Sequence, residues 1–568
     1  MKDSDSMINP VASLVTAAAQ QMRRSFHGKA QHTESRQSQF LQTLLRTYQD
    51  TEMGRQLKLT AISSVDQFRA QVPIRPYADY EPWIEKAAAG KANVLTPDPV
   101  TYLNFTSGST GKRKLIPVTW RSRQFRVKAT NTSLFFALGA AAQKRQTSLG
   151  KILLTSSIEL EGHTSAGIPY GPVSVGDLRQ NNVFKRSLMA HPLMALEPVD
   201  SLARHYVCFL FALANPRLKV IGANFPVLAL KLCEHLEQQA ESLLTDLEQG
   251  TLASWLKLDE GLRSQLLTRL KAHPQRAAQL RLQRQQTGRF TPQMIWPHLN
   301  FITTALGGTS DFYLKRFPDY FGDTPIFGGI YASAEAVFGA YHSFNNDGAV
   351  LAIESGFYEF IPPEQWDVEQ PKTLLAEQVQ VGECYRILVT NYNGFYRYDI
   401  GDVVEVVGFY GKAPIITFRH RRGGLLSSVT EKTTEYHVIQ VMQTLMAEFE
   451  VALTDFCITL SKEETPPPYL VNIELQMGDA IANPQAFLER FDQELQTIHA
   501  SYAVKRRTQV PPPQLRILQP GSFATMRQQM IAQGIPESHL KFPHISEDRQ
   551  FLTNLPVEQN ITLSRPLS

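Results

Sequence analysis

The sequence predicts an α/β protein of the α+β multidomain type, built from more than one folding unit. A chain of 568 residues is too long to bury a single hydrophobic core. Hydrophobic residues make up 43% of the chain and charged residues 19%, as in ordinary globular proteins. Along the chain, apolar residues at helical spacing give way to short apolar runs between turn residues. This change indicates a helical part followed by a part rich in strands.

Helices are predicted in the first half of the chain. Residues 1–70 are rich in Gln, Ala, Arg and Ser and mostly lack Gly and Pro, which favours surface helices. Residues 195–290 are predicted to be almost wholly helical, with Asp200 or Ser201 as an N-cap. The most apolar runs, LFFALGAAA (134–142) and YVCFLFALA (206–214), are each about half of the ~20 residues that cross a bilayer. We therefore expect two buried helices and no membrane span.

Strands are predicted over 298–420, where short apolar runs alternate with Gly, Pro, Asn and Asp. After RRGG (421–424) the order of elements is αββαβα, which is typical of a compact α+β domain. Gly423 and Gly424 are the predicted hinge, because glycine accepts large backbone rotations. The predicted division is a large N-terminal domain over 1–420, a small C-terminal domain over 425–545 and a tail over 546–568.

Charge and cysteine content exclude several classes of partner. The formal net charge is +4 without any long Lys or Arg run, so nucleic-acid binding is not expected. The four cysteines form no CxxC pair, which argues against a zinc site and favours a reducing compartment. The polar N-terminal residues lack the apolar core of a signal peptide. We expect a cytoplasmic monomer that acts on small molecules.

A loop rich in glycine and hydroxyl groups is the first candidate binding site. Its residues are Thr106, Ser107, Gly108, Ser109, Thr110 and Gly111, followed by Lys112 and Lys114. Glycine lets backbone N–H groups converge on an anion, hydroxyls donate hydrogen bonds and lysines add charge, so the loop is a candidate phosphate binder. It fails as a Walker A loop at two positions, since Thr106 replaces the first glycine and Arg113 replaces the final hydroxyl residue. A solvent-exposed hairpin loop remains the alternative.

Two further segments carry candidate site residues. Tyr331 can stack on a purine ring, and Glu335 can hold Mg²⁺ against phosphates, unless this segment is a helix start that Ser333 caps. Asp399 and Asp402 flank Gly401 between two predicted strands, where a carboxylate can accept both hydroxyls of a ribose. An ordinary hairpin turn is the alternative for that segment.

Taken in order, these motifs resemble the adenylate-forming superfamily. The closer resemblance is to the auxin-responsive acyl-acid amido synthetases, the Gretchen Hagen family. It rests on segments spread over roughly residues 75–545: TSGSTGKRKLIPVT, DLEQGTL, IYASAEAVFG, the long run from GECYRILVTNYNGFYRYDIGD to FRHRRGGLLSS, EKTTE, LQPGSFATM and HLKFP.

The resemblance implies an adenylate-forming enzyme fold, with a large N-terminal domain of β-barrel or β-sheet plus helices and a small mobile α+β C-terminal domain. It implies an ATP- and Mg²⁺-dependent ligase that activates a carboxylic acid as acyl-AMP and passes the acyl group to an amine, which is expected to be an amino acid. The implied roles are phosphate binding by Thr106 to Gly111, contacts on the adenine and acyl side by Gly308 and Thr309, and stacking of Tyr331 on adenine. Ser333 would contact the adenylate phosphate, Glu335 would hold Mg²⁺ and Asp402 would bind the ribose. Arg421, with Arg419 as the alternative, would be the hinge arginine that contacts the nucleotide, and Lys432 and Lys541 would be catalytic.

The chain departs from the family pattern at a few positions. Ala334 stands where a hydroxyl residue usually precedes the glutamate, and His544 stands where arginine is usual. Residues 120–225, expected to shape the acid pocket, match only loosely, so the acid is left open. Arg121 and Arg123 either pair with a substrate carboxylate or are surface cations. An acyl-CoA-type ligase and a non-catalytic nucleotide-binding protein are the alternative functions.

Overall fold

The computed structural model describes residues 10–107, 113–143, 150–179, 183–308, 310–421, 425–429, 431–507, 509–532 and 542–563. Its contacts divide the chain into two compact units. The first comprises Met1–Leu306, Tyr313–Ile400 and Val404–Thr417, and the second comprises Gly307–Phe312, Gly401–Val403 and Phe418–Ser568. No helix within the described ranges is both long enough and apolar enough to cross a membrane.

Helices occupy most of the described chain up to residue 321 and return in the second unit. In chain order they are α1 (Pro10–Ala30), α2 (Thr33–Tyr48), α3 (Glu52–Gln56), α4 (Val65–Gln71), α5 (Glu81–Ala88), α6 (Trp120–Gln143), α7 (Val173–Arg179), α8 (Val183–Leu188), α9 (Ser201–Leu213), α10 (Pro226–Gln238), α11 (Ala240–Gln249), α12 (Glu260–Leu267), α13 (Pro274–Thr287), α14 (Pro292–Ile295), α15 (Ser310–Leu314), α16 (Pro318–Phe321), α17 (Glu435–Glu448), α18 (Pro484–Ile498), α19 (Ala500–Arg506) and α20 (Ser522–Ala532).

The strands concentrate after residue 300, as the sequence predicts. They are β1 (Tyr102–Ser107), β2 (Arg113–Val118), β3 (Lys151–Leu154), β4 (Gly162–His163), β5 (Pro169–Gly171), β6 (Leu218–Gly222), β7 (Phe301–Thr303), β8 (Ile326–Phe327), β9 (Ile330–Ala332), β10 (Val337–Tyr341), β11 (Ala349–Leu351), β12 (Phe357–Ile361), β13 (Cys384–Thr390), β14 (Tyr398–Tyr410), β15 (Ala413–Arg421), β16 (Leu425–Leu426), β17 (Thr433–Thr434), β18 (Leu453–Leu460), β19 (Tyr469–Leu475), β20 (Gln514–Leu518) and β21 (Val557–Thr562).

The largest sheet has the strand order β12-β13-β14-β15-β11-β10-β9. The inner strands β10 and β11 and the edge strand β12 are buried along their whole length, because both faces of the sheet are covered there. Side chains of α2, including Leu41 and Leu44 at 0% exposure, belong to the same core cluster as the sheet. This cluster therefore holds the β9–β10 hairpin, which carries Glu335, on a rigid base.

Two smaller sheets complete the described part of the first unit. One has the order β2-β1-β5-β4, in which β1 and β2 form an antiparallel hairpin. The other has the order β3-β6-β7-β8 with every pairing parallel. Its strand β6 lies inside the region predicted to be almost wholly helical, so that prediction is wrong at residues 218–222. The run LKVIG is short and apolar, and periodicity alone cannot distinguish such a run from a helical segment.

Several helix starts follow from local chemistry. Asp200 caps α9, because its carboxylate accepts the N–H of Ala203 at 2.7 Å, and the predicted N-cap is thus confirmed. Proline occupies the first helical position of α10, α13 and α18, where its missing N–H has no cost. The prediction of a buried helix is confirmed for 206–214, since α9 is buried along nearly its whole length. The run 134–142 lies in α6 and is buried on one side only: Phe136, Ala137 and Ala141 are buried, whereas Leu134 is 41% exposed.

The second unit is built on a sheet of order β18-β19-β20-β21. The elements α17, β18, β19, α18, β20 and α20 appear in the predicted αββαβα order, with α19 added after α18. Part of the predicted tail, Val557–Thr562, is the edge strand β21 and pairs antiparallel with β20. A two-stranded hairpin, β16 with β17, stands before α17.

Candidate active site

Glu335 lies in the tight turn that joins β9 to β10. Ala332 pairs with Val337 across this antiparallel hairpin, and the N–H of Ser333 donates to the carbonyl of Ala336 at 2.8 Å. The alternative prediction, a helix that starts at Ser333, is therefore wrong. Helix propensity in this short segment is overridden by strand pairing on both sides.

The hydroxyl of Ser333 satisfies the backbone of this turn. Its Oγ accepts the N–H of Glu335 at 3.2 Å and the N–H of Ala336 at 3.3 Å. A serine hydroxyl has one donor proton besides its acceptor sites, so Ser333 can still donate outward. It can thereby supply the hydroxyl contact that Ala334 lacks.

Three asparagines fix the carbonyls of the same turn. Asn391 Nδ2 donates to the carbonyl of Glu335 at 2.8 Å, and Asn393 Nδ2 donates to it at 3.2 Å. Asn104 Nδ2 donates to the carbonyl of Ala334 at 3.0 Å. Sequence reasoning did not single out these residues. The turn-like run TNYNG, inside the segment that carries the family resemblance, was the available signal.

The carboxylate of Glu335 is buried at 6% exposure and lines a cleft of the first unit. Its Oε1 accepts the hydroxyl of Tyr398 at 3.1 Å. Its Oε2 accepts no hydrogen bond from a described residue. Since the turn is held by Ser333 and the asparagines, the carboxylate is not needed to stabilise the backbone and can bind a ligand.

The cleft beside Glu335 is mainly polar and carries both signs of charge. Arg126 donates through Nε to Asp177 at 3.1 Å and through Nη1 to the carbonyl of Ser333 at 3.2 Å. Arg123 also lines the cleft, where burial lowers its pKa and the nearby Asp177 opposes that shift. A half-buried cation on the cleft wall favours an anionic or strongly polar ligand.

Arg121 and Arg123 differ in their surroundings, although the sequence treats them alike. Arg121 donates two hydrogen bonds to the carboxylate of Asp98, from Nε to Oδ2 at 2.6 Å and from Nη2 to Oδ1 at 3.2 Å. This bidentate pair makes Arg121 a structural cation. Arg123 instead makes a long hydrogen bond of 3.4 Å to the carbonyl of Gly176 and borders the cleft.

The predicted phosphate loop is described only at its two ends. Thr106 and Ser107 are the last residues of β1 and pair with Lys114 and Arg113 of β2. Residues Gly108, Ser109, Thr110, Gly111 and Lys112 lie outside the described residues. Lys114 is half-buried, with its ammonium 5.0 Å from the ring centroid of Tyr77, a cation–π contact.

Tyr331 lies in the middle of β9 and is partly exposed. Its ring centroid is 5.1 Å from that of Phe338, and the two planes are tilted by 32°. Phe338 therefore supports one side of the aromatic ring that the sequence assigns to adenine.

Asp402, in the second unit, lies inside strand β14 rather than in a turn between strands. The hairpin-turn alternative is therefore wrong for this segment. Gly401 has a φ of +83°, a conformation that glycine adopts without strain, and this bends the strand just before Asp402. Asp402 is buried at 2% exposure, and its Oδ1 accepts the Nε of Arg421 at 2.6 Å. Two residues predicted to contact the nucleotide thus form an ion pair.

Asp399, the neighbouring candidate, has a structural role. It forms an ion pair with the buried Arg386 at 3.2 Å, within the first unit. Arg397, from the same motif, is buried and binds both carboxylate oxygens of Glu359. Arg397 and Asp399 of this segment therefore have structural roles. Asp402 remains the candidate residue for binding the ribose.

Gly308, which is predicted to line the adenine side, has a φ of +59°. A Cβ added there would lie 3.2 Å from the ring of Phe418, so both backbone conformation and space favour glycine. Thr309 lies outside the described residues. Arg419, the alternative hinge arginine, places its guanidinium 5.5 Å from the ring centroid of Tyr436.

Lys432 is exposed and follows the buried Glu431 in the loop between β16 and β17. Its φ is +58°, an unusual conformation for a residue with a side chain. Glu431 accepts the N–H groups of Ser428 and Val429 and the hydroxyl of Tyr469, the last at 2.7 Å. Burial raises the pKa of Glu431, but these hydrogen bonds outweigh it and the net pKa is lowered. Lys541 lies outside the described residues.

Comparison with known proteins identifies the family and the fold of the chain. Three family models match the chain, described as the GH3 family N-terminal domain over residues 22–326, the central domain over 349–421 and the C-terminal domain over 436–550. The structure resembles an acyl acid amido synthetase, AtGH3.15 in complex with 2,4-DB, with a TM-score of 0.83 at 22% identity over 96% of this chain and 98% of that one. A 2-hydroxyisobutyryl-CoA ligase in complex with 2-HIB-AMP matches with a TM-score of 0.51 at 11% identity, covering 90% of this chain and 88% of that one.

The fold is thus that of the adenylate-forming ligases. By its matches to all three family models, the chain belongs to the GH3 family. Among its relatives, jasmonoyl–L-amino acid synthetase JAR4 of Nicotiana attenuata is 25% identical, with 89% of this chain and 90% of that protein covered. A probable indole-3-acetic acid-amido synthetase, GH3.12 of Oryza sativa subsp. japonica, is 26% identical, with 89% and 90% covered.

Proposed function

We propose that this chain is an ATP-dependent amido synthetase that joins a carboxylic acid to the amine of an amino acid. Two kinds of observation support this: membership of the GH3 family, and the turn that presents the buried Glu335 carboxylate to a polar cleft. The turn is the observation that carries the proposal. Its backbone is satisfied by other residues, which leaves a buried carboxylate oxygen of Glu335 for a ligand.

Glu335 fits a magnesium ion that enters with ATP. Mg²⁺ prefers oxygen ligands and is usually held by one or two carboxylates together with phosphate oxygens. Glu335 offers one carboxylate oxygen to which no described residue donates a hydrogen bond. When bound, such an ion would neutralise charge on the phosphates.

In the proposed first step, a carboxylate oxygen of the acid attacks the α-phosphorus of ATP. The bond from that phosphorus to the pyrophosphate oxygen breaks, which gives acyl-AMP and pyrophosphate. The protein's contribution is positioning and charge neutralisation rather than covalent chemistry. We assign contact with the α-phosphate side of the substrate to the hydroxyl of Ser333 and to the turn at Glu335. Binding of the other phosphates by Thr106 to Gly111 remains a sequence prediction.

In the proposed second step, the amine nitrogen attacks the carbonyl carbon of acyl-AMP. The bond from that carbon to the AMP oxygen breaks, AMP leaves, and the nitrogen loses a proton as the amide forms. The predicted contributions of Tyr331, Asp402, Arg421, Lys432 and Lys541 to these steps remain proposals. Exclusion of water is required throughout, since acyl-AMP hydrolyses easily.

The cleft points to the class of acid. We infer that it receives the acid, because it borders Glu335 and has an aromatic wall in which Phe125 stacks on Tyr392 at 4.2 Å. Arg123 adds a cation to that cleft. An acid with an aromatic or planar body and a polar substituent fits this wall better than a long alkyl chain.

The test is AMP and pyrophosphate formation with a panel of aryl, hydroxyaryl and fatty acids, each with and without mixed amino acids. We expect AMP release that depends on one class of acid, and an amide product detected by mass spectrometry. Absence of turnover with every acid, in protein that still binds ATP, would overturn the proposal. AMP release that requires coenzyme A and ignores amino acids would identify an acyl-CoA ligase instead.

A further inference from the structure

We propose that His544 is a positioning residue for the nucleotide: its ring holds the segment Gly307–Phe312, predicted to line the adenine, against the segment that follows Lys541. The inference rests on the proposed function for the roles of these two segments. All of its contacts lie within the second unit. The sequence marked His544 only as a departure from the arginine usual at this position and assigned it no role.

The backbone of His544 is fixed to the sheet of the second unit. Its N–H donates to Glu435 Oε1 at 2.8 Å, and its carbonyl accepts the N–H of Ile458 at 2.8 Å. Two residues further on, the N–H of Ser546 donates to the carbonyl of Ile458 at 2.9 Å. Ile545 thereby forms a parallel bridge with Ile458 of β18. The ring of His544 therefore extends from a backbone that the sheet holds in place.

The ring of His544 packs against two phenylalanines. It stacks on Phe456 of β18, with centroids 4.2 Å apart and planes 10° apart, and it meets Phe312 edge-on at 5.2 Å and 66°. Phe312 also meets Phe456 edge-on, at 5.2 Å and 72°. All three side chains are buried, at 3% exposure or less. Edge-to-face contacts of this kind stabilise a structure beyond the area they bury, so this group of rings fixes Phe312 on the sheet.

A histidine suits this position because it has both a flat ring and a polar edge. Its Nε2 lies 3.3 Å from Oδ1 of Asp455, a carboxylate of β18 with 0% exposure. Asp455 also accepts a hydrogen bond from Nη2 of Arg527, in α20. Because Arg527 already supplies a cation to this buried carboxylate, position 544 need not carry a second guanidinium. An aromatic ring can therefore occupy it and pack against Phe312.

The two segments that meet at His544 are the ones to which the sequence assigns nucleotide contacts. Phe312 ends the segment that begins with Gly307 and includes Gly308, the predicted adenine-side residue. On the other side, Phe542 directly follows Lys541 in the chain and is buried at 3% exposure. A binding segment that is already held in place loses less conformational freedom when the ligand binds. The affinity for ATP should therefore depend on the contact between His544 and Phe312.

The first test is a double-mutant cycle on ATP affinity, measured by calorimetry on the full chain without acid or amine. We expect His544→Leu and Phe312→Leu each to weaken ATP binding about fivefold, the size of effect that an edge-to-face contact supplies. The double variant should stay within about tenfold of the natural sequence, because both substitutions remove the same contact. Independent losses of about 25-fold, or no loss in either single variant, overturn the proposal.

This test is separate from amide formation. If the natural sequence binds ATP and the losses are independent, the inference fails and the proposed function stands. If it binds ATP and shows the coupling but forms no amide with any acid and amine, the proposed function fails and the positioning role stands. If it binds no ATP, both fail.

A second variant separates the ring contact from the contact with Asp455. His544→Phe keeps a ring for Phe456 and Phe312 but removes Nε2. We expect a loss of stability and an ATP affinity within about twofold of the natural value. In steady-state kinetics, His544→Leu should raise the KM for ATP and leave the KM for the acid unchanged. If His544→Phe loses as much ATP affinity as His544→Leu, the ring contact is not the cause and the proposal is wrong.

The matched control is Phe523→Leu. Phe523 is buried at 0% exposure in the same unit and meets Phe542 edge-on at 4.8 Å and 86°. It should lose stability as Phe312→Leu does, measured by chemical denaturation, and keep its ATP affinity. If His544→Leu does not fold, Phe312→Leu and Phe523→Leu decide the question. An equal loss of ATP affinity in these two variants would mean that any disturbance of the aromatic core weakens binding, which overturns the positioning role.

Discussion

Two hairpin turns in this protein carry a buried glutamate, and they use it in opposite ways. In the β9–β10 turn, the hydroxyl of Ser333 accepts the backbone N–H groups, and the Glu335 carboxylate lines a cleft. In the β16–β17 loop, the Glu431 carboxylate itself accepts backbone N–H groups. A buried carboxylate is thus available to a ligand only where another side chain satisfies the turn.

The same comparison separates the residues that are candidates for the reaction from those that stabilise the turns. Glu335 is itself the candidate metal ligand. The carboxylate of Glu431 instead binds the backbone, and its neighbour Lys432 is the candidate catalytic residue. In the second case the candidate side chain follows the structural carboxylate directly and has a left-handed backbone conformation. The comparison predicts that similar substitutions in the two turns will have different consequences.

The largest expected effect is that of Glu335→Gln on catalysis. The substitution preserves size but removes the charge offered to the cleft. We expect the rate of AMP formation to fall about 10²- to 10³-fold, as when one preorganised electrostatic contact is removed from an active site. Measurement of pyrophosphate release over a range of Mg²⁺ concentrations checks this. The midpoint of chemical denaturation should stay near that of the natural sequence, and a large shift in that midpoint would mean that Glu335 is structural.

Glu431→Gln should have the converse effect, on stability. The Nε2 of glutamine would face a backbone N–H group, so a buried donor would lose its acceptor. We expect a loss of about 2–4 kcal/mol in the free energy of unfolding of the second unit. Chemical denaturation followed by hydrogen exchange of amides in residues 431–507 measures this loss. Near-natural protection of those amides would show that the carboxylate does not support the loop.

A third prediction concerns the pH dependence of the second unit. Burial is the main cause that lowers the pKa of His437 to about 4. The unfolded chain takes up a proton near pH 6.5, so between about pH 6.5 and pH 4 the unfolded state binds more protons than the folded state. Stability should therefore fall on acidification, with this group contributing at most about 1.4 kcal/mol per pH unit.

His437→Gln isolates that contribution. Glutamine does not titrate, but at the third helical position it can still complete the capping box with Thr434. We expect unchanged stability at pH 8 and a shallower fall between pH 6.5 and pH 4, measured by urea denaturation at several pH values. An unaltered slope would assign the acid sensitivity to other groups.

The sequence predicted elements well where local chemistry decides them. The cap at Asp200, the strands after residue 300 and the αββαβα order are set by short-range patterns. The prediction from sequence failed where pairing with strands distant in the chain determines the secondary structure. β6 is a strand because it pairs with β3 and β7, and Glu335 lies in a hairpin turn because β9 pairs with β10.

The candidate site shows the same limit. Asp399 and Asp402 have equivalent local surroundings in the sequence, and only the distant Arg386 shows that Asp399 is structural. Likewise, only the distant Asp98 shows that Arg121, and not Arg123, is a structural cation. The family resemblance identified Glu335, but the asparagines that fix its turn act through contacts across more than fifty residues.

The smallest expected effect is that of Ser333→Ala. It removes the acceptor of two backbone N–H groups and costs about 1 kcal/mol, as loss of a comparable capping hydroxyl does. It also releases the Glu335 carboxylate to compete for those N–H groups, as Glu431 does in the other turn. Turnover should therefore fall by more than the stability loss explains, and the Mg²⁺ dependence should shift to higher concentration. Ser333→Thr keeps the hydroxyl and is the control. If Ser333→Ala retains the natural Mg²⁺ dependence while Glu335→Gln loses it, the carboxylate is held toward the cleft without the hydroxyl, and the contrast between the two turns has another cause.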